Sequence, residues 1–278
     1  MITIKNLSFG YQKNKLLFKN LNLNLKKGHI YGLLGKNGAG KTSLLKNIAG
    51  LVYPTLGICN VNGHNPSKRE PHFLKDIFYL PEEIYVPDTT AGGFVKGTSP
   101  FYPNFNHEQH AQYLQDFEVP LSAKLNQLSL GQQKKFMISF ALACNTSVLI
   151  MDEPTNGLDI PSKAKFRKII AGAFTENQLI LISTHQVKDL ENLIDSVLIL
   201  NQQQIVLNKS NEELSNVLNF GNIESTELSD ALYHEESFKG VQGITINKYE
   251  AISRPDLELL FNGVVSDNQE LINHLNQK

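Results

Sequence analysis

Two hydrophobic periods alternate along the chain. Near the start, ITIK and then LNLNL place apolar residues at every second position, the spacing of strands with one covered face. HIYGLL then runs into glycines, and TSLLKNIAGL after it carries Leu44, Leu45, Ile48 and Ala49 on one helical stripe. Farther on, VLIM (148–151), LILIS (179–183) and VLIL (197–200) are apolar throughout. Strands covered by helices on both faces read this way. Helix-length segments separate these runs, so the pattern predicts a mainly parallel sheet in an α/β layering, with an antiparallel β part at the N-terminus.

The middle of the chain breaks the pattern. Gly92, Gly93, Gly97, Pro100, Pro103 and Pro120 interrupt it, and HEQHAQYLQDF is its one good helical patch. A small helical insertion over roughly 85–140 is expected. Beyond residue 205 the apolar pattern weakens. Ser210 with Glu213 three residues on forms a capping-box spacing, and Ser253 with Pro255 marks a second helix start. The expected organisation is a main domain over 1–205 and a short α+β extension over 206–278.

Composition changes this picture in one respect. Residues 1–200 carry 21 Lys and Arg against 15 Asp and Glu, a net of +6, whereas residues 201–278 carry 5 against 12, a net of −7. That shift supports a boundary near residue 201 and an acidic extension. The whole chain has a formal net charge of −1, which argues against binding nucleic acid by broad phosphate neutralisation. Its two cysteines, Cys59 and Cys144, make neither a disulfide scaffold nor a metal site and read as buried thiols. The first residues lack a secretory pattern and no apolar run has the length to span a bilayer. A cytoplasmic chain is expected, with any membrane role exercised through a partner.

The strongest chemical signal is Gly35-Lys36-Asn37-Gly38-Ala39-Gly40-Lys41-Thr42, which fits G-x-x-x-x-G-K-[ST] between a strand and a helix. Glycines let the backbone wrap phosphate oxygens with its N–H groups inward, and the following helix, with Ser43 in its first turn, adds a partial positive charge. Lys41 supplies a point charge for the terminal phosphates and the Thr42 hydroxyl a ligand for Mg²⁺. A glycine-rich turn that only joins two elements would use the same residues; the flanking strand and helix favour phosphate binding. The second signal is the VLIM strand ending in Asp152 and Glu153. Its C-terminal edge is where ligands collect in open α/β folds. Asp152 is expected to hold Mg²⁺, and Glu153, pointing the other way by strand alternation, to polarise an attacking water.

Taken with three further segments, these motifs resemble those of the nucleotide-binding subunits of ATP-binding-cassette (ABC) transporters, over roughly residues 1–210. Leu128-Ser129-Leu130-Gly131-Gln132-Gln133 is similar to the signature loop, Pro154-Thr155-Asn156-Gly157-Leu158-Asp159 to the D-loop, and Ser183-Thr184-His185 to the switch histidine. The resemblance implies an ATPase that uses ATP and Mg²⁺. Two cassettes pair head to tail, so that Ser129, Gly131 and Gln132 of one face the phosphate loop of the other, with Asp159 in the joint. His185 would contact the γ-phosphate. Tyr11 stands where the family stacks an aromatic on adenine, or else is a core aromatic beside Phe9. The implied partners are a second nucleotide-binding subunit, a homodimer being the simplest case, and an integral permease, which would hold the chain on the inner face of the membrane.

Two positions depart from the family pattern. Glu82 stands where a Mg²⁺-ligating glutamine is usual, which adds a charge beside the metal unless Glu82 is a solvated loop acid. Leu130 replaces the second glycine of the signature and must point away from phosphate. His107 and His110 share a helix face but lack further ligands, and read as surface polar residues. A competing class, the soluble mechanical ATPases acting on ribosomes or DNA, generally has two cassettes or a long coiled coil. This chain has one cassette and no heptad tract.

Overall fold

The computed structural model of the chain describes residues 1–12, 15–120, 122–224, 228–237, 240–247, 253–266 and 268–276. Strand β1 (Ile2–Phe9) lies between β2 (Phe18–Leu25) and β4 (Leu56–Val61) in an antiparallel sheet. Ile2 and Ile4 are buried and Lys5 is exposed, as alternation requires. Asn6 then takes φ 51°, the pairing register shifts, and Leu7 points inward again. This bulge keeps both ends of β1 in the core despite the odd spacing.

The central sheet has six strands in the order β5-β6-β7-β3-β8-β9. They are β3 (His29–Leu34), β5 (Ile77–Leu80), β6 (Val148–Asp152), β7 (Leu179–Thr184), β8 (Ser196–Asn201) and β9 (Gln204–Ser210). The first five are parallel, and β9 returns antiparallel beside β8. Every residue of β6 and β7 is buried, because helices or the N-terminal sheet cover both faces. On one face α1 (Lys41–Ile48) sends Leu44, Leu45 and Ile48 into a core shared with β1 and β2. Each such side chain contributes roughly 1.5–3 kcal/mol. This burial anchors the helix whose N-terminus carries the phosphate loop.

The opposite face is covered by the insertion and the extension. The short α2 (Pro71–Leu74) precedes β5; α3 (Ala91–Thr98), α4 (His107–Asp116) and α5 (Leu130–Ala143) follow it, and α6 (Ile160–Ala173) follows β6. Helix α5 begins at Leu130, because Ser129 and Gln132 form a complete capping box. His110 corrects an expectation. It is 4% exposed rather than on the surface, its ring set among Phe105, Phe136 and Phe140 on the inward face of α4.

The extension comprises α7 (Asn211–Val217), the sheet β10-β12-β11 (Leu218–Ile223, Gly240–Ile246, Ala231–Ser237), α8 (Leu257–Val265) and α9 (Gln269–Asn276). Ser210 and Glu213 cap α7 reciprocally. Helix α8 starts at Leu257, not at Pro255, because Asp256 accepts from the Leu259 N–H at 2.9 Å. Ser253 instead bonds the Leu218 carbonyl and the Phe220 N–H on β10. Residue 205 falls inside β9, and Leu207, Leu214, Leu218, Leu257 and Leu260 share one core with α5 and β6. The charge change at residue 201 thus marks a change of surface, with no break in packing.

Candidate active site

Strand β3 delivers Gly35 to the C-terminal edge of the sheet, and α1 starts six residues later. A side chain at Gly35 would meet the Leu200 carbonyl at 2.8 Å. Gly40 has φ 107° and serves as N-cap of α1 without any side-chain cap. The first helical bond is Leu44 N–H to the Gly40 carbonyl, so the N–H groups of Lys41, Thr42 and Ser43 are left for a ligand. Lys36, Asn37 and Gly38 are exposed, and a turn closed by the Ala39 N–H on the Lys36 carbonyl shapes them. The Lys41 ammonium, 7% exposed, donates to the Gly35 carbonyl at 2.7 Å.

Two carboxylates stand at the end of β6, and the second reaches this loop. Asp152, 1% exposed, accepts from Ser183 Oγ at 2.5 Å and from Tyr79 Oη at 3.3 Å. Burial and that carboxylate push the Tyr79 hydroxyl well above its ordinary pKa, so it stays a donor. Glu153 turns away from Asp152 for a reason other than strand alternation. The strand ends at Asp152, and Glu153 takes φ 46° while its N–H donates to Ser183 Oγ at 3.1 Å. Glu153 Oε1 then lies 2.9 Å from His185 Nδ1 and 3.7 Å from Lys41 Nζ. His185 follows directly on β7, which pairs with β6 and β3. Adjacent parallel strands therefore bring together three residues far apart in sequence.

Lys41, Thr42, Ser43, Glu82, Glu153 and His185 line one cavity of about 390 Å³, floored by Gly38 and Gly40 and flanked by Leu17. Glu82 is exposed at its rim and accepts from Asn156 Nδ2 at 2.8 Å. The Asn156 carbonyl in turn accepts from Lys134 Nζ at 2.9 Å. Burial holds the Lys134 ammonium below its usual pKa, against the upward pull of Glu82, Glu153 and Asp152. Tyr11 is 64% exposed, so it is no core residue; its ring stands edge-on to Phe9, and its hydroxyl is 3.1 Å from Ser43 Oγ.

The remaining predicted residues lie outside the cavity. Ser129 and Gln132 cap α5, Gly131 would meet the Gly157 carbonyl at 3.4 Å if it carried a Cβ, and Leu130 is 82% exposed. Asp159 caps α6, and the Ser162 side chain, together with the bond from the Ser162 N–H at 2.8 Å, holds its carboxyl below the usual range. Tyr79, Leu17 and Lys134 escaped the sequence reading. Only Tyr79 carried a signal, since it sits on the strand next to β6, paired with Ile150 two positions before Asp152.

Residues 18–156 match the ABC transporter family. The chain belongs to that family. It is 30% identical over 234 residues to the lantibiotic transport ATP-binding protein SrtF of Streptococcus pyogenes, covering 78% of this chain and 94% of the relative. To the ABC transporter ATP-binding protein NatA of Bacillus subtilis it is 30% identical over 227 residues, 77% of this chain and 91% of the relative. Among solved structures, an ATP-binding subunit of an ABC transporter superposes with a TM-score of 0.69 at 23% identity, over 77% of this chain and 92% of that one. A dimeric cassette with bound ADP and Pi superposes at 0.66 and 24%, over 76% and 98%. The protein is therefore an ATPase of the cassette fold.

A divalent cation fits the donors present. Asp152 is a buried carboxylate whose hydrogen bonds come from two neutral hydroxyls, and among the described residues no cation pairs with it. Thr42 and Glu82, which line the cavity, offer further oxygens. Few protein oxygens, with phosphates completing the shell, suit Mg²⁺.

Proposed function

We propose that two copies of this chain pair head to tail, hydrolyse ATP at their joint, and so energise transport through a separate permease at the cytoplasmic face of a membrane. The observation that carries this reading is the division of the site. The phosphate loop, Glu153 and His185 line one cavity, whereas the exposed Ser129 and the half-buried Gly131 lie outside it. A second copy supplies the signature residues that one chain cannot bring to its own nucleotide. No helix among the described residues is long and apolar enough to cross a membrane, which suits a subunit that works through a membrane partner. The relatives named above are transporter subunits, which favours this reading over a soluble mechanical ATPase.

Within the site, Glu153 Oε1 orients water for attack on the γ-phosphate, while His185 and Lys41 hold that oxygen in place. Mg²⁺, bound by Thr42, Asp152 and Glu82, would neutralise developing phosphate charge. Tyr11 stacks on the base, and Lys36, Asn37 and Ala39 wrap the phosphates. Replacing Glu153 by Gln keeps the shape and removes the charge. The variant is expected to bind ATP, to lose turnover by about 10²-fold or more, and to form an ATP-dependent dimer by light scattering. Wild-type hydrolysis in Glu153→Gln, or a monomer at saturating ATP, overturns the proposal.

A further inference from the structure

Helix α8 of the extension packs against the chain immediately beyond His185. Glu191 Oε1 accepts from the Leu257 N–H at 3.1 Å, at the start of α8, and the Glu191 carbonyl accepts from Arg254 Nη2 at 3.2 Å. Lys188 forms an ion pair with Glu258. Leu257 and Leu260 are fully buried and share a core with Val187 and Leu190. The other side of the same segment is held by α6: Lys163 Nζ bonds Asp189 Oδ2 at 2.6 Å and Gln186 Oε1 at 3.0 Å, and Arg167 Nη1 bonds the Asp189 carbonyl at 2.9 Å. The C-terminal end of α8 reaches the phosphate loop, where Lys36 Nζ lies 3.5 Å from the Val265 carbonyl.

From this placement we infer that α8 is a strut for the γ-phosphate contact: it fixes the 186–191 segment, and with it the reach of His185, relative to the phosphate loop. Glu191 is a positioning residue, since it touches no nucleotide and acts through the chain that carries His185. The negative side chain of Glu191 meets the positive end of the α8 dipole, and its carbonyl is tied to Arg254, so a shift of α8 displaces both. The extension then does more than fill out the core; it tunes turnover. Nucleotide affinity, carried mainly by the phosphate loop and Tyr11, is left largely alone.

The inference rests on His185 contacting the γ-phosphate, and the test separates the two. Steady-state ATPase of the full chain is measured for Glu191→Ala, Glu191→Gln, Lys188→Glu, the Lys188→Glu/Glu258→Lys swap and His185→Ala, with thermal midpoints alongside. Glu191→Ala is expected to lower kcat about threefold to tenfold with KM for ATP unchanged. Glu191→Gln, which keeps the acceptor for Leu257, recovers most of the rate. Lys188→Glu lowers kcat in the same sense and the swap restores it, a readout that survives if Glu191→Ala fails to fold. Undiminished kcat in both Glu191→Ala and Lys188→Glu, or losses that track the thermal midpoint without rescue, refutes the strut. If His185→Ala itself keeps wild-type turnover, the assignment of His185 falls instead.

Discussion

At the scale of single residues, the site is built on a few side chains whose surroundings leave them one role. Glu153 is 5% exposed and pinned between a histidine, a lysine and a serine hydroxyl, so it is pre-aimed before nucleotide arrives. Tyr11 is the reverse case, a large ring left in solvent and tethered to the phosphate-loop helix through Ser43. An aromatic face held there without apolar cover is suited to a base. Stacking of a base on an aromatic is worth about 1–3 kcal/mol, so Tyr11→Ala is expected to raise the ATP KM by about five- to a hundredfold with little change in kcat. Tyr11→Phe should keep the affinity. An unchanged KM in Tyr11→Ala removes the stacking role. The identities of Lys41, Asp152 and Glu153 were legible in the sequence because spacing relative to strands carries them. The direction of Glu153 was not legible, since a left-handed backbone at a glutamate leaves no mark in the pattern.

At the scale of elements, period-two and continuous apolar runs located β1, β2, β3, β6, β7 and β8, because burial on one face or two imposes those periods directly. Where a polar residue is buried by aromatics, the pattern misleads. On α4, the row HEQH reads as a solvated face, yet His110 is enclosed and its Nε2 lacks a partner. Burial, and to a lesser extent His107, lowers the His110 pKa from 6.5 to about 4. The sign of the consequence follows. Between pH 6.5 and about 4 the unfolded chain binds a proton at this position and the folded chain does not, so stability is full above 6.5 and falls with pH through that window. His110→Phe keeps the ring and removes the titration. Its thermal midpoint is expected to fall less than that of the wild type between pH 6.5 and 4.5, as thermal melts across that range would record. Equal slopes would place the acid sensitivity elsewhere.

At the scale of the whole molecule, the sequence placed a boundary at a change of charge, whereas packing runs through it: β9 crosses residue 205, and the core under α5 continues into α8. Charge reports on surface and cannot report on shared cores. What the sequence motifs did carry is an arithmetic of halves. Each chain offers one phosphate loop and, on a different part of its surface, one signature loop, so a head-to-tail pair makes two composite sites. That geometry has a consequence a self-contained site lacks. A chain carrying Lys41→Ala has a dead loop, and one carrying Ser129→Arg a dead signature; each alone makes dimers with no working site. In a mixed dimer, one joint combines both defects, while the other pairs an intact loop with an intact signature. Equal mixing makes half of the dimers mixed, each with one of two sites working. About a quarter of wild-type ATPase activity is therefore expected on mixing two inactive preparations, provided the sites turn over independently. Activity that stays at the level of the separate variants, under conditions where the chains exchange, would mean that Ser129 does not complete the site of a second copy.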